Sequence, residues 1–163
     1  MRMGSIGRVK AHRLLLGLAA FLFLLSAPGC APKKVRLYEP AHGPGLRQNI
    51  VDYAITLLGK HYRNGAKGPD TFDCSGFVYY VYGRFNIVVP LSTAGLNKTG
   101  HAISKDDVAA ADLAIFRISG DYHVGIMVNR LEFVHASKSR GVVIDRIDAP
   151  YWRRNFTHFR RVL

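Results

Sequence analysis

The sequence predicts an α+β domain in which helices come first and an antiparallel sheet follows. Three observations carry that expectation. Apolar residues recur at helical spacing only before about residue 100. Short apolar or alternating runs, bounded by turn residues, fill the stretch after Asp112. The strand and helix patterns do not alternate as a parallel sheet requires. With 163 residues, 48% of them hydrophobic, the chain has material for one core and little more.

The first segment reads as an address and not as fold. Arg2, Arg8, Lys10 and Arg13 precede an apolar run from Leu14 to Leu25, and small residues then lead to Cys30. That order predicts a secretory signal over residues 1–29. As a helix the run rises roughly 18 Å, short of a hydrocarbon core of roughly 30 Å. A short membrane anchor is the competing reading. Cys30 follows Ala27, Pro28 and Gly29 and resembles a bacterial lipoprotein cleavage box, in which the cysteine becomes a lipidated, palmitate-bearing N-terminus. Cleavage near Ala31 is the alternative. Residues 30–47 contain Pro32, Pro40 and Pro44 without apolar periodicity, which predicts a tether before a domain at 48–163.

Within the domain, Ile50, Tyr53, Ala54, Leu57 and Leu58 recur as one helix face, and Gly59 stops the run. His61 to Phe72 is a loop. A second helix is predicted from Cys74 to Gly83, with Phe77, Val78, Val81 and Tyr82 facing inward. Ser92 caps a third, ending near Gly100. Strands are predicted at Leu113–Ile118, Val124–Val128, Leu131–Ala136, Val142–Arg146 and Phe156–Val162, a sheet of five or six strands.

The net charge is +12; beyond residue 29 there remain 19 lysines and arginines against 11 acids, or +8. That balance suits an acidic partner. The basic residues are scattered and form no run of five, which argues against nucleic acid.

Two patterns carry chemistry. In Phe72-Asp73-Cys74-Ser75-Gly76-Phe77, Asp73 is a good N-cap and Cys74 begins the helix. A sulfur there faces free N–H groups and the positive end of the helix dipole, so a thiolate at neutral pH is expected. Those N–H groups also suit an oxyanion. A buried, inert cysteine is the bland alternative. A base is needed, and His123 and His135 each stand at a strand end. A hairpin register pairing residues whose numbers sum to 258 places them opposite each other. His123, Gly125 and Met127 then share a face with Leu131, Phe133 and His135. That face is expected to receive the helix of Cys74, with Gly125 leaving it room. His123 takes the part of base and His135 of orienter. A satisfied core histidine, or a zinc site of Cys74, His123 and His135, are the other readings.

The stretches FDCSGF, DLAIFRISGDYHVGI and FVHAS together closely resemble the NlpC-type cell-wall cysteine peptidases, from about Gln48 onward. The resemblance implies a papain-like NlpC-type domain, with N-terminal helices packed on the antiparallel sheet. It implies Cys74 as nucleophile, His123 as base and acid, and His135 as third polar residue. Tyr62 matches a tyrosine whose hydroxyl faces the oxyanion region, and Asp73 and Ser75 match positions that shape that region. The implied activity is a thiol protease hydrolysing peptidoglycan stem peptides, at the D-glutamyl–diamino acid or the D-alanyl–diamino acid bond. No metal or organic cofactor is implied, and a monomer is expected. Lipidation at Cys30 would anchor it to a bacterial membrane facing the periplasm, the outer one by preference. A non-catalytic wall-binding lipoprotein, or a related thiol amidase or acyltransferase, is the alternative. Ala111 departs from the family, whose members usually have glycine before the aspartate of the first core strand. So does Pro90-Leu91-Ser92-Thr93, with Asn97 nearby.

Overall fold

The computed structural model describes residues 44–163. The signal segment, Cys30 and residues 31–43 of the tether lie outside the described residues. Helix α1, Pro44–Ile55, starts inside the stretch read as tether. Proline marks a loop in the sequence, but its missing N–H costs nothing in a first helical turn. Ile50, Val51 and Ala54 on α1 are fully buried. Gly59 ends the following turn at φ 80°, and its N–H donates to Val142 O at 2.9 Å.

The loop after α1 carries two short parallel strands, β1 (His61–Tyr62) and β2 (Thr71–Phe72). Helix α2 spans Cys74–Gly83 and buries the four apolar side chains its spacing predicts. Helix α3, Thr93–Leu96, is capped by Ser92, whose hydroxyl accepts from Gly95 N at 3.1 Å, and stops short of Gly100.

Strands β3 (His101–Ile103), β4 (Leu113–Ile118), β5 (Asp121–Met127), β6 (Glu132–Ser137), β7 (Gly141–Arg146) and β8 (Phe156–Arg161) form one sheet in the order β3-β8-β4-β5-β6-β7. Every neighbouring pair is antiparallel. The expected α+β class and strand number are therefore seen. Strand β3 and helix α4, Pro150–Asn155, were not expected. Each is too short for periodicity to register: α4 buries Trp152 alone.

The hairpin of β5 and β6 corrects two expectations. Its register pairs Ile126 with Val134 and Met127 with Phe133, summing to 260 and not 258. The turn is longer because Asn129 Oδ1 accepts from Leu131 N at 2.8 Å and Glu132 N at 2.9 Å, which puts Leu131 in the exposed turn. The shift of two preserves facing, so His123 and His135 still share a side. That side, however, does not receive α2. Helices α1 and α2 pack with Val124, Ile126, Val134 and Ala136, the bulkier apolar set of the hairpin. The histidine side carries a second cluster of Phe116, Met127, Phe133 and Trp152. The space at Gly125 is filled by the Phe133 ring, which a Cβ there would strike.

Candidate active site

The turn that presents Cys74 is held from two sides. Asp73 is extended, and its Oδ1 accepts from Gly76 N at 2.6 Å and from Ser75 Oγ at 2.9 Å. Asp73 N donates to Ala66 O at 2.8 Å, and a Cβ on Gly76 would collide with that same carbonyl. The loop therefore closes on the helix start only because residue 76 is glycine. Asp73 and Ser75 are buried against each other and do not line the cavity beside Cys74. They hold the turn and so shape the region beside Cys74.

Backbone pairing between β5 and β6 is confined to the two residue pairs next to the turn. Farther along, the strands are joined by side chains: His123 Nε2 lies 2.9 Å from His135 Nδ1. His135 is completely buried. Its other nitrogen, Nε2, lies 3.0 Å from Asp145 Oδ2. Asp145 also accepts from Trp152 Nε1 at 2.9 Å and from both terminal nitrogens of Arg140. The register of β6 and β7 explains this: His135 faces Val143 and Phe133 faces Asp145, so Asp145 lies on the histidine side. Trp152 stacks on His123 with centroids 5.5 Å apart and planes at 26°.

A cavity of about 750 Å³ brings together Tyr62, Cys74, His123, His135, Lys138 and Trp152. Thus the predicted residues Cys74, His123, His135 and Tyr62 converge. Asp145, Arg140 and Trp152 were missed. Two faint signals point to them: an acid directly after the apolar residues Val142, Val143 and Ile144, and the single tryptophan of the chain.

The electrostatics of the site runs against the expected thiolate. Burial pushes the Cys74 thiol above its ordinary value, and the Asp73 carboxylate adds to this. The N–H groups of Ser75 and Cys74 and the Lys138 ammonium oppose that push without cancelling it. Burial also pushes His123 down, to about 3, and His135 and Lys138 reinforce it. Both shifts favour the neutral forms, thiol and imidazole, so Cys74 depends on a base. The Tyr62 phenol is raised by burial first and then by Cys74 and Asp73, which keeps it a donor. Asp145 is held well below the carboxylate range: burial opposes its charge, but hydrogen bonds from His135 and Arg140 outweigh burial. Both ring nitrogens of His135 are engaged, one by His123 and the other by Asp145. Among the described residues no three His, Cys, Asp or Glu side chains are grouped to hold a metal ion.

Known proteins resemble this chain. The model of the NlpC/P60 family matches residues 59–161. The murein DD-endopeptidase MepS/murein LD-carboxypeptidase of Escherichia coli K12 is 36% identical over 120 residues, covering 72% of this chain and 64% of that protein. A probable endopeptidase of Haemophilus influenzae is 37% identical over 166 residues, covering 94% of this chain and 100% of the relative. An NlpC/P60 structure from Bacillus cereus superimposes with a TM-score of 0.68 at 24% identity, covering 72% of this chain and 40% of that one. The chain thus spans less than two thirds of the Escherichia coli relative and of the Bacillus structure. The family match runs from the glycine after α1 to the last residue of β8, and so takes in every element that builds the cavity: the chain belongs to the NlpC/P60 family.

Proposed function

We propose that this domain is a cysteine endopeptidase that hydrolyses amide bonds in the stem peptides of peptidoglycan. The observation that carries the reading is a cysteine at a capped helix start, sharing a cavity with a hydrogen-bonded histidine pair. His123 takes the thiol proton as Cys74 Sγ attacks the amide carbonyl carbon. The C–N bond then breaks, His123 protonates the departing amine, and a thioester remains. Water, losing a proton to His123, releases the product acid and restores the thiol. N–H groups at the start of α2 and the Tyr62 hydroxyl stabilise the oxyanion in both steps. The basic surface favours an acidic glycan-peptide polymer.

Of the two candidate bonds, the name of the Escherichia coli relative favours the D-alanyl cross-link over the D-glutamyl bond. Digesting purified, cross-linked peptidoglycan and identifying the products by mass spectrometry tests this. Cross-linked muropeptides are expected to disappear with release of new D-alanyl carboxyl ends. Release of D-glutamyl ends would move the assignment to the other bond, and release of nothing would remove the function. We infer also that Cys30 is lipidated after export and anchors a monomer to the outer membrane. Metabolic labelling with palmitate should mark the full chain and fail to mark Cys30→Ser; equal labelling of both contradicts the anchor.

A further inference from the structure

Asp145 sits at the end of a hydrogen-bonded series that begins at His123, and its charge fixes where the protons in that series lie. An ionised carboxylate only accepts, so His135 Nε2, 3.0 Å from Asp145 Oδ2, carries the hydrogen. A neutral His135 then has a bare Nδ1. His123 Nε2, 2.9 Å away, must donate to it. The second nitrogen of His123, Nδ1, is left without a proton, which is the state a base requires. We propose that Asp145 is a positioning residue that fixes the tautomers of His135 and His123 in succession and so keeps His123 Nδ1 free as the base.

The surroundings of Asp145 support this assignment. Arg140 binds the carboxylate through two nitrogens, with Nη1 3.1 Å from Oδ1, and Trp152 Nε1 donates to Oδ2 at 2.9 Å. Every one of these partners is a donor, so the site selects an acceptor with two charged oxygens. Trp152 also stacks on His123, so one side chain fixes both the carboxylate and the face of the distal ring. Without the carboxylate, the two tautomers of His135 become nearly equivalent, and His123 divides between them. The form protonated at Nδ1 cannot accept the Cys74 proton.

The kinetic part of the test rests on the peptidase reading; the proton positions do not. Long-range ¹H–¹⁵N correlation spectra of labelled histidines in the inert Cys74→Ala protein read the tautomers directly at neutral pH. Both rings are expected to be protonated at Nε2 and bare at Nδ1. Adding Asp145→Ala should convert His123 to a mixture. In the active background, Asp145→Ala should lower kcat by about 100-fold with KM within about threefold. Asp145→Asn should recover about tenfold of that, because its amide oxygen still accepts from His135. His123 protonated at Nδ1 while Asp145 is present would overturn the proposal, and that reading stands even if Asp145→Ala fails to fold. Unchanged tautomers in Asp145→Ala with kcat within twofold would overturn it too. Equal losses in the Ala and Asn variants would place the effect in charge alone and overturn the tautomer assignment.

Discussion

Cys74 and His123 are each shifted toward the neutral form, the sulfur upward and the imidazole downward, with burial the first cause of both. The consequence is a broad pH range. Protonated His123 accepts nothing, so activity is lost as pH falls through its own depressed pKa. kcat/KM is therefore expected to stay level from neutral pH to about 5 or lower, with the alkaline limb above the ordinary thiol value of 9.0. A steady-state pH profile on a soluble stem peptide checks this; an acid limb near the ordinary imidazole value of 6.5 would contradict it. Cys74 was legible in the sequence because a rare residue followed a good cap. Asp145 was not, because its part depends on the β6–β7 register and on a turn arginine that no local pattern links to His135.

Among the elements, long periodic segments were legible and short ones were not. Helix α2 and strand β4 fall where their apolar spacing places them. The start of α1, β3 and α4 were hidden by proline or by brevity. The side of the hairpin that packs on α2 was misjudged for a physical reason: the paired histidines suggested proximity to Cys74, whereas bulk apolar area decided the packing. Ala111, where the family usually has glycine, does adopt a left-handed backbone at φ 61° and is completely buried. Next to it, fully buried Asp112 joins three parts of the fold. Its oxygens accept from Arg47 of α1 at 2.9 Å, from Arg161 of β8 at 3.0 and 2.7 Å, and from Ala109 N at 2.9 Å. Burial disfavours its charge, but these donors outweigh burial and hold it below the ordinary value of 3.8. Its contribution is therefore present above that value and lost as pH falls through the lower folded one. Asp112→Ala is expected to cost about 2–3 kcal/mol, the low end for a broken buried pair because both guanidinium groups reach solvent. Urea unfolding measures this, and a loss under about 0.5 kcal/mol would contradict the role.

At the scale of the whole molecule, sequence and structure divide the labour by position. Export and anchoring are proposed for the basic N-terminal residues and Cys30, while residues 44–163 build a six-stranded sheet whose two sides carry different duties. One side packs α1 and α2 and makes the larger core; the other carries the histidines under Trp152 of α4. Among the described residues no helix is long and apolar enough to cross a membrane. The proposed activity rests on Cys74 acting through His123. The most direct test compares the unsubstituted protein, Cys74→Ala and His123→Ala on purified peptidoglycan, with released peptides quantified by mass spectrometry. The unsubstituted protein is expected to release stem-peptide fragments, and each variant to release them at least about 10³-fold more slowly while keeping the native unfolding transition. Release by Cys74→Ala at the unsubstituted rate would contradict the account.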